Sequence, residues 1–86
     1  MSAIVTEPTS EVVARLVRQI LEVNSINAEI TPDGDLRDVG FTSLDMVSLV
    51  LHVEAEFKLT IPEPQITPSN FRSVSAIDAL ITSLRV

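Results

Sequence analysis

Ser43 and His52 are the first residues to test for chemistry, because a hydroxyl activated by an imidazole is the minimal nucleophile and base. They sit nine residues apart on one helical segment, about 13 Å at a helical rise, too far for the imidazole to take the hydroxyl proton. His52 therefore reads as a spacer or surface residue. Asp33-Gly34-Asp35 resembles the opening of a calcium loop, but its glycine is misplaced and the twelfth position is Leu44, where a bidentate Glu would be required. Gly34 and Gly40, six apart and without a following Lys-Ser/Thr pair, cannot cradle a nucleotide phosphate as a Walker loop does. No cysteine is present, so the polypeptide offers neither a thiolate metal ligand nor a thioester-forming thiol, and no disulfide pins its compartment. What remains is Ser43 itself, in the run Val39-Gly40-Phe41-Thr42-Ser43-Leu44-Asp45-Met46-Val47.

Three amphipathic segments must position that run. Val12, Val13, Leu16, Val17, Ile20 and Leu21 recur as pairs every four residues and predict a helix over about 10–24, with Thr9 and Ser10 offering N-cap oxygens. From Asn24 to Thr42 the periodicity stops, and Pro32, Gly34 and Gly40 mark a long loop pinned by Ile26, Ile30, Leu36 and Val39. The second helix starts at Thr42 or Ser43, where Thr42 and Asp45 form an acidic variant of a capping box, and runs to about Lys58. Its apolar residues are too many for one narrow stripe. Leu49, Val50, Val53 and Phe57 are expected in the core, and the excess points to an exposed partner surface. Ile61-Pro62, Pro64 and Pro68 interrupt helix formation, leaving room for a short turn around Thr67 to Phe71. Ser73 then caps a last helix over about 73–85. The fold class is all-α: a small bundle of three main helices plus a short one.

Eighty-six residues allow one domain, 1–86, with residues 1–8 expected as a flexible arm. The chain begins at Met1 and stops just past the last helix, which favours a free-standing protein over a module of a larger synthase. The net charge of −6 opposes binding to nucleic acid or anionic lipid. No apolar run is long enough for membrane insertion, and a cytoplasmic monomer with protein partners is expected. Seven acids against the single base Arg37 lie between Glu29 and Glu56, which accounts for the whole net charge. Such a concentration is either a solvated face or a docking surface.

The run around Ser43 resembles the attachment site of acyl and peptidyl carrier proteins, whose usual form is Gly, any residue, Asp, Ser, Leu. The likeness continues through Asp35-Leu36, Glu54-Ala55-Glu56-Phe57, Ile61-Pro62 and Phe71-Arg72-Ser73-Val74 to Ile77. The resemblance implies the four-helix bundle of that family and no catalytic activity. It implies that Ser43 is esterified by 4′-phosphopantetheine, transferred from coenzyme A by a phosphopantetheinyl transferase. The arm would supply the thiol that the chain lacks and hold acyl or aminoacyl groups as thioesters, delivered by a loading ligase, synthase or transferase. The second helix becomes the recognition helix, with Leu44, Val47 and Leu51 as exposed contacts and Asp45, Glu54 and Glu56 as acids around them.

Three positions depart from the pattern. Thr42 stands where Asp normally precedes the serine, and Ser48 and Ala55 replace residues commonly acidic in fatty-acid carriers. These departures point away from housekeeping fatty-acid synthesis and toward a specialised carrier of a polyketide, an unusual acyl chain or an activated amino acid. Two other readings remain: a helical interaction module whose serine is never modified, and a small hydrolase using Ser43 with His52.

Overall fold

The computed structural model describes residues 8–85; the expected N-terminal arm, apart from Pro8, lies outside the described residues. Three α-helices follow one another: α1 (Thr9–Val23), α2 (Ser43–Phe57) and α3 (Val74–Leu84). Single 3₁₀ turns at Leu36–Val39 and Glu63–Gln65 interrupt the two connections. The all-α class holds, but the described residues form three α-helices and two short turns rather than a four-helix bundle. Pro62 and Pro64 bracket the start of the second turn, and an N–H-less residue cannot propagate a helix.

Helix α1 packs against both α2 and α3. It buries all six residues of its predicted stripe, Val12, Val13, Leu16, Val17, Ile20 and Leu21. Its start differs from expectation. Pro8, with its φ fixed near helical values, occupies the cap position without a side-chain cap, and its carbonyl accepts from the Glu11 and Val12 amides at 3.0 and 3.2 Å. Thr9 is already helical, and its Oγ1 meets Arg85 beyond α3 at 3.4 Å.

Helix α1 ends with Asn24 at the C-cap and Ser25 in the left-handed region at φ 60°, while the Ile26 amide reaches back to the Leu21 carbonyl at 2.8 Å. That closure satisfies the terminal carbonyls and turns the chain toward α2. The loop is held by the core on one side and by the start of α3 on the other. Leu36 is buried, Ile26, Ile30 and Val39 pack against the core, and the Leu36 and Ser75 amides donate to the Arg72 and Pro32 carbonyls at 2.8 and 2.9 Å. Leu49, Val50 and Val53 of α2 are buried as predicted, with Phe57 packed at the core's edge. Ser73 caps α3 through its hydroxyl, which accepts from the Ala76 amide at 3.1 Å.

Candidate functional site: the start of helix α2

Gly40 sets the approach to the site. Its φ of 97° is open only to glycine at low energy, and a Cβ there would sit 3.0 Å from the Ile26 Cδ1. The bend places Phe41 in the core and brings Thr42 to the N-cap of α2 in an extended conformation. The capping box is reciprocal: the Thr42 hydroxyl accepts from the Asp45 amide at 3.2 Å, and the Thr42 amide donates to Asp45 Oδ2 at 2.9 Å. With those two amides taken, the Ser43 and Leu44 amides are left open at the positive end of the helix dipole.

Ser43 is the first helical residue and is exposed. A groove of about 320 Å³ lies against it, with Leu36, Phe41, Met46 and Phe71 forming its apolar wall and Arg37 and Arg72 its cationic rim. An anion esterified to the Ser43 hydroxyl would meet two backbone N–H groups and a positively charged rim, so the residues present fit a seryl phosphodiester.

Asp45, expected among the surface acids, is turned inward and buried. Its Oδ1 accepts from Asn24 Nδ2 at 2.9 Å, leaving neither oxygen uncommitted. Burial pushes its carboxyl up, but the Thr42 amide, the Asn24 amide and the Thr42 hydroxyl outweigh that and hold it below the ordinary carboxylate range. The Thr42 hydroxyl caps the Asp45 amide but cannot pair the Thr42 amide or the Asn24 side-chain amide, and accepting from those two donors draws the acid in.

The remaining predicted residues fall into two groups. Leu44, Val47 and Leu51 are 82, 52 and 61% exposed and, spaced i, i+3, i+7, form one outward stripe. Glu54 is half-buried, and its Oε2 accepts from the Ile61 amide at 2.8 Å, closing the connection after α2. Glu56 is exposed and lies 3.7 Å from Arg15 Nη2 on α1. Ser43 and His52 are not brought together: nine residues at about 100° each place them on opposite sides of α2. His52 is exposed, with Nδ1 against the Ser48 carbonyl at 2.7 Å.

Two residues near the site were not singled out by the sequence reading. Asn24 carries a helix C-terminus signal, but its bond to Asp45 spans 21 positions and has no local signature. Arg72 was visible only as part of the Phe71-Arg72-Ser73 run.

Residues 11–80 match the family model described as the phosphopantetheine attachment site. The chain is 47% identical over 81 residues to aminoacyl carrier protein 1 of Bradyrhizobium diazoefficiens, covering 94% of this chain and 89% of the relative. It is 48% identical over 69 residues to aminoacyl carrier protein 2 of the same organism, covering 80 and 78%. A chain in the crystal structure of Bradyrhizobium japonicum glycine:[carrier protein] ligase, complexed with its cognate carrier protein and an analogue of glycyl adenylate, superposes with a TM-score of 0.78 at 45% identity. That match covers 90% of this chain and 99% of the other. A second structure, of the same ligase with glycylated carrier protein, gives 0.75 at 47% identity over 86 and 99%.

Proposed function

The chain belongs to the carrier-protein family that bears a phosphopantetheine attachment site, and from that premise we propose that Ser43 is the attachment residue and that the cargo is an activated amino acid. The protein is a carrier and not an enzyme, and 4′-phosphopantetheine is its prosthetic group. That group supplies the thiol that a cysteine-free chain lacks.

The observation that carries the reading is the exposed Ser43 hydroxyl at a capped helix start with two open amides beside it. During modification the Ser43 Oγ–P bond forms, the phosphoanhydride bond to the leaving 3′,5′-ADP breaks, and the hydroxyl proton passes to a base of the phosphopantetheinyl transferase. Thr42 and Asp45 hold the serine's backbone still while this happens, so the hydroxyl is presented without an ordering step. The stripe of Leu44, Val47 and Leu51 is the docking face for an aminoacyl-loading ligase, close enough to Ser43 that docking brings the arm to the ligase's active site.

Among polyketide, unusual acyl and aminoacyl cargoes, the aminoacyl one is favoured by the likeness to two aminoacyl carrier proteins and to structures that contain a glycine:[carrier protein] ligase. The carrier acts as a single-domain monomer in the cytoplasm, where coenzyme A is available to the transferase. The test is to incubate the phosphopantetheinylated protein with ATP, a panel of amino acids and a glycine:[carrier protein] ligase. A hydroxylamine-labile aminoacyl adduct that depends on the ligase is expected; loading with acyl groups only, under matched acyl-ligase conditions, would overturn the aminoacyl assignment.

A further inference from the structure

Val23, the last residue of α1, is 84% exposed, more than any residue of the α2 stripe, and it takes no part in the core. Its place is fixed all the same. Asn24, the next residue, ties the end of α1 to Asp45 at 2.9 Å, and its backbone amide closes the helix on the Ile20 and Leu21 carbonyls. Across from Val23 on α2 stand Ser48 and His52, and the three side chains line a groove of about 420 Å³ between the two helices, with Gln19 and Asn24. Ser48 and His52 follow Leu44 at i+4 and i+8, so they form the row beside the stripe of Leu44, Val47 and Leu51. The exposed surface of the stripe thus continues past the edge of α2, through Ser48 and His52, to Val23 on α1.

This continuation has a defined hydrogen-bonding polarity. His52 Nδ1 lies 2.7 Å from the Ser48 carbonyl, which can only accept, so in the neutral ring Nδ1 carries the proton and Nε2, on the far side, is left as an acceptor. No carboxylate waits there for a cation. Asp45 is buried with both oxygens committed, Glu54 accepts from the Ile61 amide, Glu56 lies against Arg15, and Glu22 stands about 100° around α1 from Val23. Desolvating a lysine or arginine against this groove would cost more than it returns, whereas an uncharged donor regains its lost water bond from Nε2. We propose that Val23 and His52 form a second contact for the aminoacyl-loading ligase, seating an apolar segment of the ligase that covers Val23 and donates one uncharged N–H or O–H group to His52 Nε2. The proposal rests on docking through the α2 stripe and adds the element that selects the partner. A basic helix is disfavoured at this edge because it would bury charge without a countercharge.

The test measures calorimetric affinity and aminoacylation kinetics of the phosphopantetheinylated carrier with the ligase that loads it. Wild type is compared with Val23→Asp, His52→Ala, His52→Gln, His52→Lys, Leu51→Asp and Ala79→Asp, the last adding a charge at an exposed position of α3. V23D and H52A are expected to raise Kd and KM roughly fivefold or more with kcat unchanged. H52Q, whose Oε1 stands near the place of Nε2, should recover most of the affinity lost in H52A; H52K should bind most weakly of the His52 variants, and A79D should match wild type. Unchanged melting and the Ser43 adduct confirm that each variant is folded. Wild-type affinity in either V23D or H52A, with L51D weakened, overturns this inference alone. Wild-type affinity in L51D as well removes the stripe from the docking face, and this inference with it. H52Q as weak as H52A shows that Nε2 accepts no bond, and H52K as tight as wild type shows that the partner presents an acceptor or an acid; either overturns the proposal. Failure of every ligase to load an amino acid overturns the aminoacyl reading, and the partner assigned here with it.

Discussion

Asn24, the last cap of helix α1, donates its side-chain amide to the buried carboxylate of Asp45, in the first turn of helix α2, at 2.9 Å. Through that one bond the end of the first helix is tied to the start of the second, across 21 residues of chain. Asp45 passes the constraint on to Thr42, and the two hold Ser43 between them. An acidic residue placed where a docking charge would be expected is instead part of the scaffold that presents Ser43.

Asp45→Asn removes the charge but keeps the shape, and it should lower stability by about 1–2 kcal/mol, the usual value of a helix cap and a charge-assisted hydrogen bond. Because the folded carboxyl lies below its ordinary range, its stabilising contribution is present above the unfolded value of roughly 3.9 and is lost as pH falls through the lower folded value. Urea unfolding of wild type should therefore weaken over that acidic window, and D45N should weaken less steeply. Parallel pH dependences would contradict this role.

Asp35 offers a second titration. The Arg37 side chain holds its carboxyl down to about 2, aided by the Arg37 amide and by the fields of Arg37 and Arg72. Carbon-13 detected titration of Arg37→Ala should bring that carboxyl back toward the ordinary range, with the fold unchanged because the pair is exposed.

Gly40→Ala forces a side chain into a left-handed backbone already 3.0 Å from Ile26. A loss of about 1–2 kcal/mol is expected, since a β-carbon at positive φ is strained and Ile26 must shift as well. Transferase modification of Ser43 should slow in the same variant, as the approach to the helix start is disturbed.

Leu44→Asp, Val47→Asp and Leu51→Asp test the proposed docking role of the exposed stripe. Exposed positions tolerate substitution within about 0.5 kcal/mol of stability, whereas an interface contact costs more than about 1 kcal/mol, or roughly fivefold in affinity. Calorimetric titration with the loading ligase should show weaker binding with unchanged melting behaviour. Unchanged binding in all three would place the docking face elsewhere.

Much of this arrangement was legible in the residues. The three apolar pairs recurring every four residues from Val12 to Leu21 gave α1 because period and burial coincide, and Thr42 with Asp45 announced the α2 cap because both partners lie within four positions. The surplus of apolar residues on α2 pointed to an exposed stripe, and Leu44, Val47 and Leu51 are exposed. What escaped were choices made by distant partners. A carboxylate at position 45 looks the same in sequence whether it faces solvent or Asn24, and Glu54 bonding the Ile61 amide depends on how the chain folds back after Lys58. The cap of α1 was misplaced by one or two residues because Thr9 and Ser10 are better side-chain caps than Pro8, and proline's fixed φ prevailed.

The most direct test of the central claim is peptide-mapping mass spectrometry after incubation with coenzyme A and a broad-specificity phosphopantetheinyl transferase. An increase of about 340 Da confined to the peptide containing Ser43, and absent from Ser43→Ala, is the predicted result for a covalently attached arm. No increase in wild type, or an increase that persists in S43A, would contradict it.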